Sequence, residues 1–179
     1  QFAGNTVSIA PELPTVEQAG GRVEFTDSSV RAQNVSGTLL GGPVTIAAAS
    51  ARDAAVRVSL QGRINADSAQ RPGGPAWVQH LRGSADWRAV INARKRNADV
   101  VLESSLQGLA VDMPAPVVKT AAEAMPLRIE RRVLAANQDR LSLSLGDIVS
   151  MNLVRRTDGG RATIARGSVR FGAAADEPD

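Results

Sequence analysis

The sequence has no cysteine and no tyrosine, one histidine, and only 3% aromatic residues among 179. Each scarcity removes a class of chemistry. Without cysteine there are no disulfides and no thiolate metal centres. With so few aromatic faces, stacking platforms for bases or sugars are excluded. A single imidazole, His80, rules out multi-histidine metal sites, and no H-x-x-x-H or EF-hand spacing occurs. No apolar run approaches the ~20 residues of a membrane-spanning helix. The net charge of +3 is spread among interspersed acids and bases. The densest basic run, Arg94-Lys95-Arg96, is short of a nucleic-acid footprint.

Catalysis finds little to stand on. His80 lies in a polar loop near Trp77, and no G-x-S-x-G elbow accompanies it. Asp86 and Asp99 lie on the polar sides of neighbouring strands, where solvated charge accounts for them as well as an acid/base pair does. The glycine pairs at 20–21, 41–42, 73–74 and 159–160 precede no helix and read as turns rather than phosphate loops. The expectation is a protein that is not an enzyme and carries no metal or cofactor.

What is present is alternation. Val56, Val58 and Leu60 alternate with Arg57, Ser59 and Gln61; Trp87, Ala89 and Ile91 with Asp86 and Arg88. Val100 and Leu102 alternate with Asp99 and Glu103; Leu141, Leu143 and Leu145 with Arg140, Ser142 and Ser144. Val23 and Phe25, then Val169 and Phe171, repeat the pattern at either end. Period-2 alternation marks strands with one apolar face. Turn signals at Asp27-Ser28-Ser29, Gly41-Gly42-Pro43, Gly146-Asp147 and Asp158-Gly159-Gly160 separate them by gaps too short for parallel crossovers. The sequence therefore predicts a mainly β protein: about eleven strands in an antiparallel meander, forming a curved, twisted sheet.

Two units are expected, 1–64 and 84–172, joined by a loop over 65–83 that ends in a helical turn near Trp77–Leu81. A short helix is expected within 114–125, started by Pro116 and ended before Pro126. Ser59-Leu60-Gln61-Gly62 and Ser105-Leu106-Gln107-Gly108 form a faint echo of a repeated hairpin. The start at Gln1-Phe2 and the tail 173–179, expected to be disordered, read as the ends of a piece cut from a longer chain.

Something must cover the apolar faces. Two sheets can cover each other, and on pattern alone that is the commoner solution. Otherwise the sheet curls into an open groove or half-barrel that offers its apolar side to a ligand. An acyl chain is the ligand class that such a trough suits. Each methylene gains about 0.8 kcal/mol on leaving water, so sixteen carbons need on the order of 12 kcal/mol of shelter.

One stretch tips that balance. Ser104-Ser105-Leu106-Gln107-Gly108-Leu109-Ala110-Val111-Asp112-Met113-Pro114-Ala115-Pro116, followed by Lys119 and Ala124-Met125-Pro126-Leu127, resembles the YhdP family of AsmA-like bacterial envelope proteins. So does Val23-Glu24-Phe25-Thr26-Asp27 leading into Gly41-Gly42-Pro43-Val44. The resemblance covers residues 20 to 135. It implies an internal periplasmic segment of an inner-membrane-anchored protein, with a β-groove that moves phospholipid between the inner and outer membranes. It brings no catalytic residues.

On that reading the groove lining is Val56, Val58, Leu60, Trp87, Ile91, Val100, Leu102, Leu141, Leu143 and Leu145. Val117 and Val118 would sit on a gating helix. Arg94, Lys95, Arg96, Arg131 and Arg132 would meet phosphate headgroups. The partners implied are phospholipid or another acyl-chain ligand, the rest of the parent chain, and inner- and outer-membrane proteins, with no nucleic acid. The alternative is a structural or protein-interaction β-domain of the envelope whose same residues form a closed core.

Overall fold

A computed structural model describes residues 2–7, 15–25, 29–50, 55–70, 76–94 and 97–172. The strands are β1 (Phe2–Val7), β2 (Val16–Phe25), β3 (Val30–Leu39), β4 (Gly42–Ser50), β5 (Ala55–Asn65) and β6 (Leu81–Arg94). They continue as β7 (Asn97–Ser104), β8 (Leu109–Val111), β9 (Leu127–Ala135), β10 (Gln138–Leu145), β11 (Val149–Asp158) and β12 (Arg161–Phe171). All twelve belong to one sheet. Eleven run side by side in chain order as an antiparallel meander, and β8 alone leaves the path to pair with the start of β6. Among the described residues β1 and β12 do not pair with each other, so the sheet is open rather than a closed barrel.

Local chemistry explains the hairpins. Leu40 and Gly41 join β3 to β4 with φ of 51° and 76°, and Gly159 and Gly160 join β11 to β12 with φ of 57° and 82°. Positive φ at both central residues is the type I′ turn, whose twist matches the flanking strands. Leucine adopts that conformation at a cost. Here its side chain packs against an apolar cluster, which offsets it.

Register sets the faces. Val35, Ile46, Leu60, Ala89, Leu102, Ile129, Leu143, Met151 and Val169 stand opposite one another in turn, one on each of nine strands. Flanking rows place Val58, Ile91, Val100 and Leu141 on the same face, and Trp87, Leu127, Leu145 and Val149 beyond them. The other face carries Thr45, Gln61, Arg88, Glu103, Arg128 and Ser144 in one row. β3 and β5 approach within 8 Å across β4, less than two strand spacings of ~4.8 Å, so the sheet curves sharply there. Val44 and Ile46 are buried while Thr45 and Ala47 are exposed. The apolar face is therefore the concave one in this region.

The main core is that curl. Val16, Ala19, Ala32, Val35, Val44, Ile46, Leu60, Ala89 and Ile91 are its buried members. A second cluster closes one end of the strands. There Ile64, Ala66, Leu81 and Ala85 meet Leu109 and Val111, with Leu40, Trp87, Leu106 and Val117 against them.

Three expectations are corrected. The units drawn at 1–64 and 84–172 are not separate: β5 and β6 pair from Ala55↔Arg94 to Asn65↔Ser84. The linker between them folds aside as helix α1 (Ala66–Ala69), and a 3₁₀ turn (Ala76–His80) stands where a helical turn was expected. The echo is not a repeat either, since Ser59–Gly62 lies inside β5 while Ser105–Gly108 is a turn after β7.

The third correction concerns 114–125, where there are turns and no helix. Its backbone groups bond elsewhere. Val111 and Lys119 exchange N–H···O bonds of 2.9 and 3.1 Å, Gly108 N donates to Ala121 O, and Met125 N donates to Ser105 O. The Lys119 ammonium, 5% exposed, then donates to the carbonyls of Leu106, Leu109 and Thr120 at 2.8, 2.5 and 2.9 Å. Burial lowers its pKa, partly countered by Glu123. A helix would have to give up these partners for intrahelical ones. Replacing Lys119 with Met should leave three carbonyls short of a donor and cost about 2–3 kcal/mol. In thermal denaturation that is a fall in Tm of about 5–10 °C. The tail 173–179, and the loop residues 71–75, lie outside the described residues.

Candidate functional site: the apolar face of the sheet

The alternation of each strand becomes a shared surface only through register. All ten positions selected as lining, from Val56 to Leu145, fall on one face of one sheet. Leu60 and Ile91 are buried in the curl, while Val56, Val58, Trp87, Val100, Leu102, Leu141, Leu143 and Leu145 are half-buried. Burial decreases toward β12, where Ile164, Val169 and Phe171 are 65%, 56% and 69% exposed. A two-layer sandwich would bury the centre of each strand on this face. Here no second sheet lies over it among the described residues.

The sequence reading missed several members of the surface. Ile129, Met151 and Leu153 continue the rows on β9 and β11. Their strands carry the same alternation, but Arg131 interrupts it on β9 and masks the pattern. Trp87 leans across Gly62: a Cβ there would lie 2.6 Å from the indole. Its Nε1 is buried and has no hydrogen-bond partner among the described residues.

The basic residues separate. Arg131 shares the apolar face with Leu141, its partner in register, while the adjacent Arg132 projects to the other side. Arg132 donates to Glu130 at 2.6 Å. Arg94 is exposed at the strand end on the polar face, and Lys95 and Arg96 lie outside the described residues. Arg131 Nε donates to Asp139 at 2.7 Å, and Arg155 grips the same carboxylate through Nε and Nη2 at 2.8 and 2.9 Å. Burial works to raise the Asp139 pKa, but the bonds from Arg155 and then Arg131 prevail and hold it below the ordinary carboxylate value.

Val117 and Val118 do not sit on a helix. Val117 packs into the end cluster, and Val118 is 52% exposed. Met125, buried in the same segment, was not singled out from sequence.

A concavity of about 1190 Å³ lies on the opposite, polar side, bordered by Gln61, Arg63, Asp86, Arg88, Glu103 and Arg128. Of the ten lining positions only Trp87 borders it. Twist makes a sheet saddle-shaped, so each face is concave along one diagonal. The charges here are cross-strand pairs. Arg63 donates to Asp86 at 2.7 and 3.0 Å, and Glu103 accepts from Arg88 at 2.9 Å and from Arg128. The Asp86 carboxyl is lowered by Arg63, and that of Glu103 by Arg88. Such exposed pairs order neighbouring strands and contribute little each.

Asp86 and Asp99 are not brought together. Asp99 stands opposite Asn92, six residues along β6 from Asp86, which is roughly 20 Å at strand rise. His80 is half-buried beside Gln79, whose Nε2 lies 3.2 Å from its Nε2. No cluster of three or more metal-ligating side chains occurs among the described residues. None of their helices is long and apolar enough to cross a membrane.

Compared with known proteins, the chain is matched along residues 1–179 by the model of the family described as YhdP protein, and it belongs to that family of bacterial envelope proteins. Neither the curated proteins nor the solved structures contain a match.

Proposed function

We propose that this YhdP-family segment shelters phospholipid acyl chains on its apolar face, as part of a path between the inner and outer membranes. The observation that carries the reading is the unbroken row from Val35 to Val169. Its first four members, Val35, Ile46, Leu60 and Ala89, are packed in the curl, and the five from Leu102 to Val169 remain accessible; at ~4.8 Å per strand these five span roughly 19 Å. Its members are aliphatic, with no hydrogen-bonding group that would hold a chain at one place. Shelter worth about 0.8 kcal/mol per methylene needs only this surface. On this proposal the segment is non-catalytic and periplasmic, belongs to an inner-membrane-anchored parent, and works together with the rest of that chain and with proteins of both membranes.

The test is lipid mass spectrometry on the purified chain, joined to photo-crosslinking in cells from position 143. Phospholipid should co-purify, and crosslinks from residue 143 should carry lipid. Leu143→Asp puts a charge in the middle of the row and should reduce recovered phospholipid at least about fivefold, since a desolvated carboxylate opposes an acyl chain by well over 1 kcal/mol. Absence of lipid from the parent chain defeats the proposal.

The ion-paired concavity on the polar side favours a second reading, a protein-interaction domain. Crosslinks to protein from Gln61, without lipid adducts at 143, would select it.

A further inference from the structure

The apolar face of β5 and β6 does not end at Gly62 and Trp87. Two residues further along, Ile64 and Ala85 stand opposite each other on the same side, and Leu81 follows there on β6. All three are buried. They are covered by Leu106, Leu109, Val111 and Val117. Those four belong to a single excursion of the chain, residues 105–125, between β7 and β9.

The excursion is built as a body of its own. It leaves and returns at one place, where Ser104 pairs with Leu127 and Pro126 O accepts from Gly146 N at 2.7 Å. Inside it, Val111 and Lys119 exchange backbone bonds, Gly108 N donates to Ala121 O, and Met125 N donates to Ser105 O. The Lys119 ammonium donates to Leu106, Leu109 and Thr120, all within the same segment. Glu123 accepts from Thr120 N and Oγ1 at 2.7 and 2.9 Å. Its backbone bonds to the sheet run instead along one line at the start of β6. There β8 pairs with Leu81–Gly83, Ser84 N donates to Gly108 O at 3.1 Å, and Asp112 N donates to His80 O at 2.7 Å. The closed arrangement also leaves a group unsatisfied. Trp87 packs against the covered cluster, and its buried Nε1 has no acceptor among the described residues. A buried donor without a partner opposes the state that buries it.

We infer that residues 105–125 form a lid that lifts as one body about Ser104 and Pro126 and uncovers the apolar surface of Ile64, Leu81 and Ala85. Internal bonds hold the lid's shape while β8 leaves β6, so only the contact line has to break. Hinges of this kind absorb the motion at a few residues where an element ends. Opening lengthens the accessible apolar face along β5 and β6 and frees the Trp87 N–H to find an acceptor. The lid's part in loading an acyl chain rests on the acyl-chain reading above; the lifting itself does not.

Hydrogen exchange on the wild-type chain tests the motion. The amides of Ser84 and Asp112, which bond across the contact line, should exchange together. They should do so at least about tenfold faster than those of Val111, Lys119 and Met125, which bond within the lid. Equal rates, or the reverse order, mean that the segment melts or stays with the sheet, and overturn the lid. The chain has no cysteine, so one disulfide can lock the contact. Arg82 and Ala110 are opposite in register on the side away from the cluster, at a Cβ separation that a disulfide can span. Oxidation of the Arg82→Cys/Ala110→Cys variant should slow exchange at Ser84 and Asp112 by about tenfold or more. It should also reduce uptake of labelled phosphatidylglycerol from vesicles at least about fivefold, and reduction should restore both. Slowed exchange with unchanged uptake overturns the role in loading and leaves the acyl row standing. No uptake by the wild type ends the acyl reading, and the wild-type exchange order then decides the lid by itself.

Discussion

Gly42→Ala should destabilise the protein by about 3 kcal/mol or more, the upper range for forcing atoms into a filled site. Gly42 opens β4 where the hairpin corner crosses the end of β5. A Cβ at this position would lie 1.8 Å from the Arg63 carbonyl oxygen and 2.8 Å from its carbon. Both are backbone atoms, so no side chain can move aside, and the strands must separate. The neighbouring Gly41 is equally confined, with Asn65 O, Ala69 N and Ser68 C all within 3 Å of its absent Cβ. The adjoining cluster of Ile64, Ala66 and Leu81 would open with them. Thermal denaturation should show Tm lowered by about 6–12 °C. Ala47→Val, on an exposed position of the same strand, should stay within about 0.5 kcal/mol of wild type. A Gly42→Ala protein with wild-type Tm would mean that the β4–β5 corner is not packed as described.

The second large effect belongs to Asp139. Its removal takes from two half-buried guanidiniums the carboxylate they share, at a cost of about 2–3 kcal/mol; partial exposure keeps this below the cost for a fully buried pair. Asp139→Ala should therefore lower the urea midpoint clearly at neutral pH. The pH dependence has a definite sign. The folded pKa is lowered relative to the unfolded chain, so the native state holds fewer protons. The stabilisation is present above the unfolded carboxylate pKa and is lost as pH falls through the folded value. Wild type and variant should accordingly differ most near neutrality and converge in acid. A difference that is flat from neutrality to strong acid would show that Asp139 is not an ionised partner of the two arginines. Asp139→Asn separates charge from shape: it keeps the volume and some hydrogen bonding, and should fall between wild type and Ala.

These two positions differ in how far the chain alone discloses them. Gly41-Gly42 is legible as a turn, because paired glycines between alternating runs have few other uses. That Gly42 must lack a Cβ depends on Arg63, twenty-one residues away, and nothing local encodes the approach. Arg131 and Arg132 read as one basic pair. Adjacent residues of a strand face opposite ways, so the pair was bound to divide, yet which member joined the apolar side required the pairing of β9 with β10. Asp139 and Arg155 carry no local signal that sets them apart from the other charges of alternating strands. The expected helix at 114–125 had sound local grounds, with Pro116 near its start and Pro126 after its end. It lost to long-range partners, since β8 and the end of β7 offered its backbone the bonds a helix would have made internally.

By itself the sequence determined the class of structure and the composition of its surface. Alternation fixes which residues of a strand share a side, and short gaps force neighbouring strands to pair antiparallel. An antiparallel meander and ten apolar lining candidates, nine aliphatic residues and Trp87, followed from these local rules. Which of those candidates entered a packed core was decided only in three dimensions. Register placed them on one face of β5, β6, β7 and β10, where the curl buries Leu60 and Ile91 and leaves the others half-buried. Alternation repeats every two residues and carries no information about which strand lies beside which, or about what faces the side it makes apolar.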